Sequence, residues 1–445
     1  MTLIVGMARS GIAAAKLLRG HGVDVFVSDS GKPSTAELDA IGIPHETGRH
    51  TVSRFVEAQE IVVSPGVPLD IPALVEARSK GVPVVSELEV AYRYLRGETV
   101  AITGSNGKTT TTALVGEIFK KTGRPVQVGG NVGTAMTTLV DTSTPDTINI
   151  IETSSFQLDT IQRFRPRVGL LLNITPDHLD RYADFDAYRL SKFRMFLNQK
   201  PEDCAVLNAD DPSVYPPPVT IRSRMILFSQ NRRLEAGSFR LDDALHVDGR
   251  TVMPVRDIPL RGRHNVENVL AAIAVTAQVG IDPARMAEAI RAFKAVEHRL
   301  EYVAAVNGIE FYNDSKATNV DSAIKAVESF DGNIILILGG KDKGASYAPL
   351  VQAMAGRVKH VLLIGAAAPR ISEAIADRFP KTPVRALADA VQKTLAIGAP
   401  GDIALLAPAC ASFDMFDNFE HRGRVFKAAV ASLKNGRTKN ETVAK

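Results

Sequence analysis

Short apolar runs ending in glycine or polar turns alternate with stretches of helical spacing along the whole chain. Residues 3–5 form the first run, and apolar positions at helical spacing follow over 12–18. Further strands are predicted at 23–28, 60–63 and 82–85. A second cycle opens at 99–102 and continues through 148–151, 168–172, 205–207 and 225–228. A third opens near Ala295, with strands at 309–312, 334–338, 361–364 and 403–406. This alternation predicts repeated βα units and mainly parallel sheets. Breaks fall near residues 90 and 294. Residues 234–259 carry short polar-alternating runs between glycine turns and predict a hairpin beside the central sheet. The polar tail, 435–445, is expected to fray.

Composition narrows the function. A chain of 445 residues exceeds one ordinary core. Its 45% hydrophobic and 23% charged residues suit a water-soluble globular protein. The net charge of +4, without a long basic run, argues against a nucleic-acid partner. Cys204 and Cys410 lie far apart and show no metal-type spacing, as expected in a reducing compartment. Met1 to Gly6 run straight into a glycine turn with no basic n-region, so no secretory leader is expected. No apolar run reaches membrane-spanning length, and no membrane insertion is expected. The expectation is a cytoplasmic protein.

The strongest local signal is Thr103-Gly104-Ser105-Asn106-Gly107-Lys108-Thr109-Thr110, between a strand and a helical run. Glycines let backbone N–H groups curl around phosphate oxygens, lysine adds a point charge, and Thr109 offers a hydroxyl to magnesium. Ile102 stands where the full Walker pattern has its first glycine, so the loop is a shortened variant. The first segment carries a weaker signal, Gly6-Met7-Ala8-Arg9-Ser10-Gly11, with Ala8 at the middle glycine position. Asp29 ends the next strand, where a ribose-binding acid sits in dinucleotide folds. This turn fits a dinucleotide site, a site for another nucleotide, or a plain βα connection.

Magnesium takes oxygen ligands, commonly one or two protein anions plus phosphate oxygens. Glu152 stands at a strand end, as do Asp177 and His178. Strand carboxyl ends are where open α/β sheets bind ligands. Lys192, by contrast, reads as an ordinary lysine on the solvated face of a helix. Asp314-Ser315-Lys316-Ala317-Thr318-Asn319 and Gly339-Gly340-Lys341-Asp342-Lys343-Gly344 are polar clusters at two later strand ends. His298 and Arg299 lie at the second break, where domain closure would bring a guanidinium onto a phosphate.

Taken together these motifs resemble the Mur ligases, over about residues 3–430, and within them the MurD-type branch. The phosphate loop is common to Mur ligases and folylpolyglutamate synthases. More specific are Gly129-Gly130-Asn131-Val132-Gly133, Glu152-Thr153-Ser154-Ser155-Phe156-Gln157-Leu158 and Asn173-Ile174-Thr175-Pro176-Asp177-His178-Leu179-Asp180-Arg181-Tyr182. So are His264-Asn265-Val266-Glu267-Asn268 and Glu297-His298-Arg299-Leu300-Glu301. Pro408-Ala409-Cys410-Ala411-Ser412-Phe413-Asp414 and Asn418-Phe419-Glu420-His421-Arg422-Gly423 point to the D-glutamate-adding branch. Thr153 departs from the family, which often has leucine there.

The resemblance implies an α/β fold of three domains. Residues 1–90 would be a Rossmann-like UDP-binding domain, 91–294 a P-loop ATPase-like parallel-sheet domain, and 295–445 a Rossmann-like amino-acid-binding domain. It implies ATP-dependent addition of D-glutamate to UDP-N-acetylmuramoyl-L-alanine through an acyl phosphate, in peptidoglycan synthesis. Lys108, Glu152, His178 and Lys192 would be catalytic. Thr109 and Glu152 would hold one magnesium ion, and His178 and a carbamylated Lys192 would help hold a second. Gly104, Ser105, Asn106, Gly107, Thr110, Asn265, Asn268, Arg299, Asp314 and Lys316 would complete the ATP site. Asp29, Ser30, Ser64, Pro65 and Gly66 would take the uridine diphosphate, and Asn131 the muramoyl part or phosphates. Thr318, Lys343, Ser412 and Phe419 would position D-glutamate. A monomer is expected.

The nearest rival is a sibling ligase, in the Mur or folylpolyglutamate group, adding another amino acid. A nicotinamide-dependent oxidoreductase built on the first glycine turn is disfavoured by Ala8 and the second phosphate loop. A non-catalytic nucleotide-sugar sensor is disfavoured by the intact set Lys108, Glu152, His178 and Lys192.

Overall fold

The computed structural model describes residues 1–441 except 132, 179, 180 and 295, with side chains as far as residue 433. Val132, Leu179 and Asp180 of the quoted motifs, and Ala295, near which the third cycle is expected to open, lie outside the described residues. The chain divides into two compact units: Met1–Asp257 with Glu267–Phe293, and Ile258–Val266 with Lys294–Lys445.

The first unit holds two sheets. One is fully parallel, in the order His45–Thr47, Val25–Asp29, Thr2–Val5, Glu60–Val63, Val84–Ser86. Its order reverses between Thr2–Val5 and Glu60–Val63, and the loops leaving those strands diverge to open a crevice. Helix Arg9–Gly20 buries Gly11, Ala14, Ala15 and Leu18, one apolar stripe at helical spacing. The second sheet has nine strands. Its middle strands are Cys204–Asn208, Val168–Leu171, Glu98–Thr103 and Ile148–Glu152, with Val126–Gly130 at one edge. The four middle strands are buried almost throughout, as parallel strands covered on both faces must be.

At the far edge the predicted hairpin is larger than expected. Ser238–Leu241 joins the sheet by parallel pairing with Arg224–Ser229, and Ala244–Val247 and Arg250–Pro254 follow antiparallel. Two buried glutamates on helix Glu87–Tyr94 tie this unit's two sheets together. Glu89 is fully buried and accepts from the backbone N–H groups of Gln162, Arg163 and Phe164, each at 2.9 Å. Its charge is spread over three donors, which is what permits a buried carboxylate. Glu87 accepts one bond, from Gln157 Nε2 at 2.7 Å, and its Oε2 has no partner.

The second unit is built on one six-stranded sheet, in the order Glu301–Val306, Ile309–Asn313, Ile403–Leu406, Ile334–Gly339, Val358–Ile364, Lys381–Pro383. Only the first pair is antiparallel. The carboxyl ends of Ile309–Asn313, Ile403–Leu406 and Ile334–Gly339 therefore lie side by side. The helix Phe419–Glu441 follows the last strand. Among the described residues no helix is long and apolar enough to cross a membrane.

Burial lifts the Glu87 carboxyl from the ordinary 4.5 to about 7, against the Gln157 bond that favours its charge. Between those values the folded protein keeps a proton that the unfolded chain releases. That contribution to stability is full below pH 4.5 and is lost as pH rises through about 7. Glu87→Gln is neutral at every pH, so its melting temperature should gain on the parent's between pH 5 and 8. Parallel melting curves across that range would contradict the assignment.

Candidate active site

The phosphate loop leaves strand Glu98–Thr103, which lies between Val168–Leu171 and Ile148–Glu152. Register places Ile102 opposite Glu152, so the loop, the acid and the segment after residue 171 meet at one sheet edge. Gly107 caps helix Lys108–Lys120 with φ +82°. A side chain there would be strained, and its Cβ would stand 2.3 Å from Asn268 Oδ1. The loop is clamped by Asn173. Ser105 N donates to the Asn173 carbonyl at 2.8 Å, and Asn106 N to Asn173 Oδ1 at 2.9 Å. The Ser105 hydroxyl bonds to Tyr188 OH at 3.0 Å. Asn268 Oδ1 accepts from Thr111 Oγ1 at 3.2 Å, and Asn265, in the first turn of the same helix, donates to the Arg261 carbonyl at 2.6 Å.

Glu152 is 2% exposed. Its carboxylate accepts from Thr109 Oγ1 at 2.7 Å and from Asn131 Nδ2 at 3.3 Å. Thr153 beside it is fully buried, and its hydroxyl donates to the Ile102 carbonyl at 3.3 Å. That bond satisfies the buried hydroxyl.

Lys192 does not lie on a solvated face. It is 2% exposed, on helix Phe185–Phe193, whose buried positions are Tyr188, Ser191, Lys192 and Phe193. Its Nζ donates to the Gly104 carbonyl at 3.0 Å and stands 4.5 Å from the centre of the Tyr188 ring. Lys108 Nζ donates to the same carbonyl at 2.8 Å and to that of Ser105 at 2.9 Å. Burial, and then repulsion from Lys108, hold the Lys192 amine well below the usual lysine range, against the pull of Asp177 and Asp159. His178 stands near the same tyrosine, 6.2 Å between ring centres, and packs edge-on to Phe156 at 4.8 Å. Its backbone is left-handed, φ +56°, and its N–H donates to Asp177 Oδ1 at 2.9 Å.

Among the described residues no three of His, Cys, Asp and Glu gather into a metal cage. The donor set nonetheless suits magnesium, which needs few protein anions when phosphate oxygens complete its shell. Glu152 is a buried carboxyl group with an adjacent hydroxyl and no cationic partner among the described residues.

At the crevice of the first sheet, Asp29, Ser30, Ser64 and Gly66 line one cavity of about 300 Å³, with Pro65 in the same loop. Both Asp29 oxygens are engaged at 2.7 Å, by Met7 N and by Gly31 N. The acid thus shapes the glycine turn. Arg181 links this loop to the His178 segment. Its guanidinium donates to the carbonyls of Gly66 (3.2 Å) and Val67 (3.0 Å) and lies 4.6 Å from the centre of the Phe156 ring.

In the second unit most of the expected residues sit on loops at adjacent strand ends, and Phe419 opens the helix Phe419–Glu441. Asp314 is lifted to about 7 by burial, against the pull of Arg299 and a bond from Leu300 N at 3.3 Å. Lys316 Nζ stands 3.9 Å from the centre of the Phe419 ring. Thr318 N donates to the Lys316 carbonyl at 2.7 Å. Ser412 is buried and Lys343 is exposed. Sequence reasoning passed over Asn173, Tyr188, Arg181 and Arg422 as site residues. Asn173, Arg181 and Arg422 lay inside the quoted motifs, whereas Tyr188 had only its helical spacing to Lys192 as a signal.

Gly107→Ala should abolish nucleotide binding, measured by fluorescent-ATP titration, while melting within a few degrees of the parent. Full binding by a folded variant would contradict the loop geometry.

Known families place this arrangement. Residues 1–86 match the "Mur ligase MurD-like, N-terminal domain", 102–276 the "Mur ligase middle domain", and 298–410 the "Mur ligase, glutamate ligase domain". The chain is 48% identical to the UDP-N-acetylmuramoylalanine–D-glutamate ligase of Acidobacterium capsulatum, over 96% of this chain and 95% of that one. It is 46% identical to the enzyme of that name from Koribacter versatilis, over 97% of each. In fold it is similar to the UDP-N-acetylmuramate–alanine ligase MurC of Thermotoga maritima, at TM-score 0.62 and 20% identity, over 97% and 99% of the two chains. A pseudomurein peptide ligase type C from Methanothermus fervidus is similar at TM-score 0.62 and 18% identity, over 97% and 99%. With all three domain types matched and near-full-length relatives above 40% identity, the chain belongs to the Mur ligase family.

Proposed function

We propose that this protein joins D-glutamate to UDP-N-acetylmuramoyl-L-alanine with hydrolysis of ATP to ADP and phosphate, in peptidoglycan synthesis. The observation that carries the reading is the near-full-length similarity to D-glutamate ligases at 48% and 46% identity. A sibling ligase for another amino acid is correspondingly disfavoured.

A carboxylate is a poor acyl donor, so the substrate carboxylate must first become an acyl phosphate by attack on the γ-phosphate of ATP. The amine of D-glutamate then attacks that carbonyl and phosphate leaves. The physical difficulty is contact between two anions. Backbone N–H groups of Gly104 to Thr110, the amino end of helix Lys108–Lys120 and the Lys108 ammonium address it by holding the phosphates. Magnesium, when bound, supplies charge neutralisation. Thr109 and Glu152 would hold one ion, and His178 and Lys192 would help hold a second. A buried lysine with a depressed pKa is a nucleophile toward carbon dioxide. Its carbamate would turn a cation into an anionic oxygen donor. That chemistry gives a lysine a place beside a metal.

We assign residues 1–90 to the UDP moiety, 91–294 to ATP and 295–445 to the amino acid. Asp29, Ser30, Ser64, Pro65 and Gly66 take the uridine diphosphate, Asp29 by shaping the turn. Asn131 serves the muramoyl part or phosphates. Asn265, Asn268, Arg299, Asp314 and Lys316 keep their nucleotide role, and Thr318, Lys343, Ser412 and Phe419 position D-glutamate. The enzyme works as a monomer in the cytoplasm.

Phosphate release from ATP, with magnesium and UDP-N-acetylmuramoyl-L-alanine, should require D-glutamate and fail with L-glutamate. Release with another amino acid would move the specificity, and no release would overturn the ligase reading. Lys192→Ala should fold normally and lose at least about 100-fold in kcat, the scale of one transition-state donor. A folded variant with full activity would remove Lys192 from the mechanism.

A further inference from the structure

The second unit buries an arginine that has no acid beside it among the described residues. Arg422 stands in the first turn of helix Phe419–Glu441 and is 2% exposed. Every group it bonds to is a neutral oxygen. Nε donates to Ser315 Oγ at 3.0 Å and Nη2 to the Ser315 carbonyl at 2.8 Å. Nη1 donates to the carbonyls of Cys410 at 3.1 Å and Ala411 at 3.3 Å. Among the described residues no carboxylate reaches ion-pair distance of it. Asp414 attracts it from farther away, while accepting a bond from Ala366 N at 2.9 Å. Carbonyl dipoles solvate a guanidinium but do not cancel its charge. The first turn of a helix is also the wrong end for a cation.

The location supplies a reason for the charge. The four oxygens belong to loops leaving Ile309–Asn313 and Ile403–Leu406. The loop after Ile334–Gly339 closes on the same point. Gly340, at φ +138°, has no room for a side chain: a Cβ would stand 2.3 Å from the Ala411 carbonyl and 3.2 Å from Arg422 Nη1. Lys341 and Ala411 exchange backbone hydrogen bonds at 2.8 and 3.1 Å. Arg422 is thus the joint of three loops, which carry Thr318, Lys343 and Ser412, and Phe419 precedes it on its own helix.

We propose that Arg422 is a positioning residue that determines specificity, a buried positive charge that registers these loops and favours a dicarboxylic amino acid over a neutral one. The proposal rests on the ligase reading above and deepens it.

The test compares the parent enzyme with Arg422→Gln, which keeps donors without charge, and Arg422→Lys, which keeps charge without the fork. Phosphate release is followed with D-glutamate and with D-glutamine, its neutral analogue. For Arg422→Gln the KM for D-glutamate should rise on the order of 30-fold, the scale of one charge-assisted bond, with a smaller change in kcat. Its preference for D-glutamate over D-glutamine should fall by a similar factor, with the KM for ATP unchanged. Arg422→Lys should keep most of the preference. A folded Arg422→Gln enzyme with unaltered KM and preference would overturn the proposal. If melting shows that this variant does not fold, Arg422→Lys decides alone: a retained preference supports the charge, and a lost one contradicts it. A parent enzyme that releases no phosphate with D-glutamate fails at the ligase reading itself and takes the proposal with it.

Discussion

A carboxylate buried at the end of a central strand, with a hydroxyl and an amide against it and no cationic partner among the described residues, organises the first unit. Burying a carboxyl group is costly unless its oxygens are bonded, and Thr109 and Asn131 supply those bonds to Glu152. Thr109 contributes the adjacent hydroxyl because the phosphate loop ends where its helix begins. Lys108 and Lys192 converge on the single carbonyl of Gly104, which favours one of the two in its neutral form. Acid, hydroxyl and lysines thus meet at the carboxyl edge of the central strands.

The second unit presents the opposite imbalance, an arginine buried without an acid beside it among the described residues. In both units the imbalance lies where parallel strands end and loops diverge, the one part of such a sheet that is free of its own hydrogen-bond ladder. Glu89, which ties the first unit's two sheets together, has a charged neighbour as well as its three backbone donors, with Arg93 Nε 3.9 Å from its carboxylate.

The legible part of the fold was its buried centre. Strands such as Glu60–Val63 and Ile403–Leu406 are short apolar runs because both their faces are covered. The strands that sequence reasoning passed over lie at sheet edges. His45–Thr47, Val126–Gly130, Glu301–Val306 and Lys381–Pro383 are partly exposed and carry polar residues or glycine that hide the run. In the site, the phosphate loop was readable from spacing alone, because its glycines answer a backbone demand. Lys192 was readable only through family resemblance, since nothing local distinguishes a buried lysine from a solvated one. Arg422 stood within a quoted motif, yet its burial depends on three loops far apart in sequence. No local pattern encodes that.

The central claim is that the substrate carboxylate is activated by direct attack on the γ-phosphate. UDP-N-acetylmuramoyl-L-alanine labelled with oxygen-18 in its carboxylate tests it most directly. The account predicts one labelled oxygen in the inorganic phosphate released with each new amide bond. Phosphate free of label, with amide still formed, would contradict an acyl-phosphate route.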